Sequence, residues 1–423
     1  MKRVHDEFVN RYGVVKGNLI FIYKAVRRVF SKGYIWYLQR FTRIDEKSIV
    51  FESIPDYSDN ARALSEYLEA KGDCRNYRIC WIVMDVDKCR KAHPSDRVVF
   101  LPRFSSTLHE FPLKSIKAYM SAQYVMATHE FSILKKYSRK GQKYIRLWHG
   151  CGYKDNEHRM TDGDKLFDLA LVPGNIFVKT KSYFWNAPED AFLAAGLPRY
   201  DWLMDKNNAA YALPAKRMLE RFGDGNKKII MWMPTFRNSK SGDKPESIIK
   251  QFPLLNTREE WARADCFCQE NNIVILLKLH PFQKKYDIPF ENMNNIREVT
   301  NDDFDDAGIP MYVFLAHTDG LITDYSSVAI DYLLLDRPIA FALDDYEQYK
   351  SSRGFVFDNP LKLMPGHHLY TIHDMQVFIE DVSKGNDPYK ADRDAVMPQV
   401  HNRCDNYCEN IWNAIRKADR VQF

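Results

Sequence analysis

The chain has no uncharged apolar run of about 20 residues, the length a helix needs to cross a bilayer. Its N-terminus has no apolar core followed by a small-residue cleavage site, so it does not read as a secretory leader. No internal repeat and no low-complexity tract is present. Metal-ligand spacing is missing too. The acidic pairs Asp302-Asp303, Asp305-Asp306 and Asp344-Asp345 have no spaced partners, and the run 301–306 reads as a solvated loop. His401, Cys404 and Cys408 could share a helix face but lack a fourth ligand. No metal and no cofactor is therefore expected. The eight cysteines, in a chain of 423 residues without a leader, read as buried reduced thiols in a reducing cytosol.

What is present fits a folded protein of two or three domains: hydrophobic residues make up 45% of the chain and aromatics 14%. The net charge of +5 is unevenly placed. Residues 1–47 hold eleven Lys/Arg against four acids, so they carry +7 and the remainder −2. Between Asn18 and Phe41, apolar and aromatic residues such as Leu19, Ile22, Val26, Phe30, Trp36 and Tyr37 alternate with Lys24, Arg27, Arg28, Lys32 and Arg40. The pattern predicts a basic amphipathic helix pair on an anionic membrane surface; the alternative is a helical hairpin on the protein's own body. Basic charge confined to this apolar arm argues against nucleic-acid binding.

Beyond the arm, short apolar runs alternate with helical stretches. Strands are expected at 48–52, 78–84, 98–101, 124–127, 144–147 and 169–172, with helices at 60–70 and 115–121 among them. A second series follows at 229–233, 274–279, 296–299, 320–323, 339–342 and 354–357. A helix is expected at 402–417. Alternation of this kind predicts α/β units with parallel sheets. The division is an arm at 1–47, a Rossmann-like domain at 48–205, a linker at 206–226, a second Rossmann-like domain at 227–390 and a C-terminal helix at 391–423. Two such halves facing a cleft are a GT-B-like architecture, in which ligands sit beyond the carboxyl ends of the strands.

Polar groups stand where that rule puts them. After 144–147 come Trp148-His149-Gly150-Cys151-Gly152-Tyr153-Lys154, and after 229–233 Pro234-Thr235-Phe236-Arg237. After 274–279 comes His280-Pro281, with Lys278 just inside, expected to turn away or to pair with an acid. After 320–323 comes Asp324-Tyr325-Ser326-Ser327. Thr323-Asp324 can cap a helix that the two serines open; hydroxyls, backbone N–H groups and the positive end of a helix dipole then suit a phosphate or pyrophosphate. His149 can take a proton near neutral pH, and Gly150 and Gly152 let the backbone come close to a ligand. Arg237 offers a planar fork for phosphate oxygens. His280 can bond a phosphate or donate to a leaving group. Asp331, one turn inside the helix, can orient a hydroxyl or the donor's sugar.

At these four places the chain resembles the CDP-glycerol glycerophosphotransferase family of teichoic-acid synthesis. The resemblance rests on Trp148-His149-Gly150, Pro234-Thr235-Phe236-Arg237, His280-Pro281 and Thr323-Asp324-Tyr325-Ser326-Ser327. It extends to Tyr57-Ser58-Asp59-Asn60, Gly196-Leu197-Pro198-Arg199-Tyr200-Asp201, Asp336-Arg337-Pro338 and Arg353-Gly354-Phe355, and covers roughly residues 45–385. It implies a GT-B fold with 48–205 as the acceptor domain and 227–390 as the CDP-donor domain, peripheral attachment to the cytoplasmic face of a bacterial membrane, and transfer of a polyol phosphate from a CDP-polyol to a lipid-linked saccharide or polyol-phosphate chain. It also implies His149 as the base, with Arg237, His280, Ser326 and Ser327, beside Thr323, on the donor phosphates. Trp148, Gly150, Lys154, Thr235, Asp324, Asp331 and Arg353 are further donor or acceptor candidates. Where relatives often carry Thr-Pro, this chain has Cys151-Gly152, which predicts a looser loop. CDP-ribitol in place of CDP-glycerol, a capsule glycosyltransferase using a nucleotide sugar, and a non-catalytic scaffold are the rival readings.

Overall fold

The computed structural model describes residue 9 and residues 12–104, 112–155, 167–205, 208–223, 225–235, 252–280, 288–402 and 404–421. Contacts divide the chain into two units. One comprises Met1–His149 with Asp164–Ala170, the other Gly150–Gly163 with Leu171–Phe423.

The first unit is built on β1 (Asp45–Glu52), β2 (Arg78–Val83), β3 (Val98–Pro102), β4 (Ala122–Ala127) and β5 (Lys143–Arg146). β6 (Leu169–Val172) follows and carries the unit boundary, and β7 (Phe192–Ala194) completes a sheet of order β3-β2-β1-β4-β5-β6-β7. The second unit holds β8 (Lys228–Trp232), β9 (Ile273–Leu277), β10 (Ile296–Glu298), β11 (Gly320–Thr323), β12 (Ile339–Ala342) and β13 (His367–Leu369), in the order β10-β9-β8-β11-β12-β13. The recorded pairings are parallel. Both sheets thus reverse direction once, between β1 and β4 and between β8 and β11. These reversals are the switch points at which open α/β sheets bind ligands.

Residues buried on both faces explain why these runs are strands. All of β9, β11 and β12 is buried, as parallel strands covered by helices require. Helices such as Arg258–Glu270 and Ile372–Lys384 cover the second sheet, placing Trp261, Cys268, Phe378 and Ile379 in its core.

Several expectations are corrected. The basic arm contains one continuous helix of 28 residues, Val14–Phe41, where a helix pair was predicted. Ile35 and Leu38 near its end enter the first unit's core with Ile116, Tyr119 and Leu134. Leu19, Val26, Val29, Phe30 and Trp36 stay exposed. Residues 354–357 form no strand; Phe355 makes an isolated bridge with Lys154 and lies among the rings of Tyr325, Tyr346 and Tyr349. The sixth strand is His367–Leu369. The acidic run expected as a loop is the helix Asn301–Ala307, because Thr300 and Asp303 cap it reciprocally. The C-terminal region holds two helices, Lys390–Val400 and Tyr407–Val421. Within 206–226 lies the helix Ala212–Gly223, part of the second unit. No disulfide joins any of the eight cysteines; His401 binds the Ile330 carbonyl through Nε2 at 2.7 Å, and Cys408 Sγ donates to the Pro198 carbonyl.

Candidate active site

In the first unit, the chain leaves β5 and turns sharply at Trp148, whose φ of +55° is unusual for a bulky residue. The fully buried Asn60, on the helix Asp59–Ala70, holds this turn. Its amide donates to the carbonyls of Trp148 at 2.8 Å and Leu147 at 3.4 Å. This gives the Tyr57-Ser58-Asp59-Asn60 stretch a physical role: it braces the loop that carries His149. Asn60→Ala should cost about 1–3 kcal/mol in urea unfolding, since it strands a buried carbonyl and frees a strained residue. It should also lower turnover more than donor affinity.

His149 Nδ1 lies 3.2 Å from the Thr128 carbonyl oxygen, which can only accept. The proton therefore sits on Nδ1 and the lone pair on Nε2, the tautomer a general base needs. The ring stacks on His129, with centroids 4.3 Å apart and planes 10° apart. Burial lowers the His129 pKa, against the pull of the Asp59 carboxylate and with help from the Arg146 and Arg103 cations. Arg146, with no exposed surface, pairs with Glu130 at 3.2 Å and lies against the rings of Phe131 and Trp148.

Glu52, at the end of β1, was not singled out from sequence. Burial raises its pKa to about 7, against the opposing pull of the Ser132 N–H and Arg103. An acid with a raised folded pKa holds its proton longer in the folded state than in the unfolded one. Its stability contribution is full below about pH 4.5 and is lost as pH rises through about 7. The difference in unfolding free energy between wild type and Glu52→Gln should therefore change by about 3 kcal/mol between pH 4.5 and 8. Parallel urea midpoints across that range would refute the assignment.

In the second unit, the predicted residues sort into braces and accessible groups. Asp324, fully buried, accepts from the Thr235 N–H at 2.8 Å and hydroxyl at 2.6 Å. Thr323 donates to the Met233 carbonyl at 2.8 Å. These three tie the end of β8 to the end of β11 across the switch point; as donor contacts they are corrected, since their polar groups face each other inside the protein. Asp331 is corrected likewise. It is fully buried and accepts from Arg199, Tyr200 and Tyr312 at 2.5 Å each. Asp201 caps the helix Tyr407–Val421 by accepting the N–H groups of Tyr407 and Cys408.

Ser326 and Ser327 remain partly exposed. The helix they open, Val328–Tyr332, is a single five-residue turn. Its dipole is short, so the hydroxyls and turn N–H groups carry the anion-binding argument. The glycine loop meets these serines. A Cβ on Gly150, which has φ +142°, would lie 2.5 Å from Ser327 Oγ and 3.3 Å from Arg199 Nη2. One on Gly152 would lie 3.0 Å from Ser327 Cα. Cys151 between them is fully buried, and its thiol is pushed up to about 11 by burial. The Cys-Gly departure is therefore a packed feature, and its glycines admit the serine turn.

His280 follows β9. Its pKa is lowered to about 4 by desolvation, then by the cations of Lys154 and Lys278. Lys278, expected to turn away, is thus felt by His280; burial lowers its own pKa to about 8. Arg353, half-buried, ends the helix Tyr346–Ser352. Arg237 and Pro281 lie outside the described residues.

Two sheets of Rossmann order, with a histidine loop and a serine turn at their strand ends, define a GT-B-like transferase. The chain belongs to the CDP-Glycerol:Poly(glycerophosphate) glycerophosphotransferase family, whose model matches residues 35–415. It is 29% identical over 364 residues to a teichoic acid poly(glycerol phosphate) polymerase of Bacillus spizizenii, covering 77% of this chain and 81% of that one. It is 28% identical over 239 residues to a teichoic acid ribitol-phosphate primase of the same organism, covering 52% and 56%. The fold matches that of the wall teichoic acid polymerase TagF, with a TM-score of 0.70 and 22% identity over 95% of this chain and 98% of that one.

Proposed function

We propose that this enzyme transfers glycerol phosphate from CDP-glycerol to a hydroxyl of a lipid-linked acceptor, releasing CMP. The observation that carries the reading is the His149 loop. Its Nδ1–H rests on a carbonyl, leaving Nε2 as the base, and the next residue, Gly150, packs on Ser327. Nε2 takes the acceptor's proton. The acceptor oxygen bonds to the β-phosphorus that bears glycerol, and the bond from that phosphorus to the bridging oxygen breaks, so CMP leaves with the electron pair. Ser326 and Ser327 hold the phosphates, Arg237, Lys278 and Lys154 offset the charge that develops, and the neutral His280 ring donates one hydrogen bond to it. Positioning and electrostatics account for most of the rate.

Family membership supports the CDP-polyol, and TagF has also been studied after soaking with CDPG. The ribitol reading keeps a place because the ribitol-phosphate primase is similar at almost the same identity. Among the described residues no helix is long and apolar enough to cross a membrane. The exposed apolar residues of Val14–Phe41, interleaved with Lys24, Arg27, Arg28 and Lys32, support peripheral attachment to an anionic bilayer at its cytoplasmic face. The test is CMP release by the purified protein with a membrane extract as acceptor, comparing CDP-glycerol, CDP-ribitol and UDP-sugars. Acceptor-dependent CMP from CDP-glycerol supports the proposal; turnover with a UDP-sugar alone overturns it.

A further inference from the structure

The first unit contains a second group of polar side chains that the proposed chemistry does not use. It lies at the β1/β4 switch point, where a ligand is expected on topological grounds. A cavity of about 140 Å³ opens there, lined by Glu52, Ser53, Arg103, His129, Ser132 and Ile133 among others. Glu52, 5% exposed, accepts the Ser132 N–H at 3.0 Å, one of the several hydrogen bonds a carboxyl group can accept. Arg103 donates to the Ser53 carbonyl at 2.6 Å and pairs with Asp56 at 3.4 Å. Its buried Nε has no partner among the described residues. His129, on the cavity wall, is the ring stacked on His149.

The charges around the cavity are balanced. Arg103 faces Asp56 and Arg146 faces Glu130, and Glu52 adds an acid with no surplus cation among the described residues. A phosphate would find little net attraction there. A polyol, whose hydroxyls both donate and accept, matches the mixture of carboxyl, guanidinium, imidazole and serine groups. Size narrows the choice. An apolar cavity of about 150 Å³ holds a ring of about six heavy atoms. Glycerol is of that size, whereas ribitol is longer by two carbons and two hydroxyls.

We propose that this cavity is an acceptor subsite, holding the glycerol unit at the acceptor's growing end against His129, with its reacting hydroxyl extending past that ring to His149. Glu52 and Arg103 bind its remaining oxygens, and the small volume of this open cavity favours glycerol-ended over ribitol-ended acceptors. The assignment rests on the transferase reading above for the identity of its guest.

The test uses the full chain and two soluble probes, the methyl phosphodiesters of glycerol and of ribitol. Binding is followed by saturation-transfer NMR without donor, and CDP-glycerol affinity is measured separately by calorimetry. Saturable binding of the glycerol probe is expected, weaker for the ribitol probe. It should fall tenfold or more in Glu52→Gln and in Ile133→Trp, which fills the cavity from an exposed position, while CDP-glycerol affinity stays at the wild-type value. Absent binding of the glycerol probe, wild-type affinity in both variants, equal binding of the two probes, or a parallel loss of donor affinity would each overturn the subsite. Glycerol-probe binding with the expected losses, but without CMP release from any CDP-polyol, would uphold the subsite and sink the donor reading instead.

Discussion

His149→Ala should lower kcat about a thousandfold and leave the dissociation constant for CDP-glycerol, the proposed donor, unchanged. A positioned general base typically contributes 10²–10⁴-fold, so the loss lies in the middle of that range. The geometry specifies which atom is lost. With Nδ1–H committed to the Thr128 carbonyl, Nε2 is the basic nitrogen. Donor affinity is spared because the groups proposed to hold the phosphates, Ser326, Ser327 and His280, belong to the second unit, while His149 ends the first. The substitution also removes one ring from the stack with His129 and Trp148, so a purely structural effect needs separating from a chemical one. Added imidazole separates them. If the missing group is a base, imidazole restores part of the turnover, with a dependence on the concentration of its neutral form. An alanine variant with full kcat, or one whose donor affinity falls as far as its turnover, would overturn the assignment of His149 as base.

What the sequence made legible follows from the range over which each feature acts. β8, β9, β11 and β12 could be read because parallel strands covered on both faces are uninterrupted apolar runs. Residues 354–357 imitated such a run, but their apolarity serves the ring cluster around Phe355. The true edge strand, His-His-Leu at 367–369, is too short and too polar to be noticed. The acidic run at 301–306 looked solvated because its charges outweigh its pattern; the threonine three residues before Asp303 was the missed signal for a cap. The same limit governs the site. Local strings marked His149, Ser326 and His280 correctly as strand-end groups. Pairings across the fold, such as Asn60 with Trp148 and Arg199 with Asp331, have no local signature. Glu52 had a weak one, a carboxyl directly after the buried apolar run Ile49-Val50-Phe51 at a switch point.

Removing the Asp331 carboxylate should be the most damaging single change in the second unit. Arg199 and Asp331 form an ion pair at 2.5 Å with 3% and 1% of their side chains exposed. The guanidinium also lies over the Tyr312 ring, 4.3 Å from its centroid. Asp331→Ala leaves that cation buried without its counter-charge and two tyrosine hydroxyls without their acceptor. Breaking a buried pair in this way costs about 3–5 kcal/mol, enough to lower the melting temperature by about 10 °C in a unit of this size. The double replacement Arg199→Met with Asp331→Leu should recover most of the loss, because an apolar pair of similar volume carries no desolvated charge. Function should respond differently in the two cases. The Asp331 N–H donates to the Ser327 carbonyl, and Arg199 Nη2 sits behind Gly150, so the network sets where the serine turn and the glycine loop meet. The double variant is therefore expected to fold stably yet bind CDP-glycerol more weakly than wild type, with the KM for donor rising further than kcat falls. Equal stability in wild type and Asp331→Ala would show that the charge is solvated in solution. A double variant with wild-type donor affinity would show that the network stabilises the second unit without positioning Ser327.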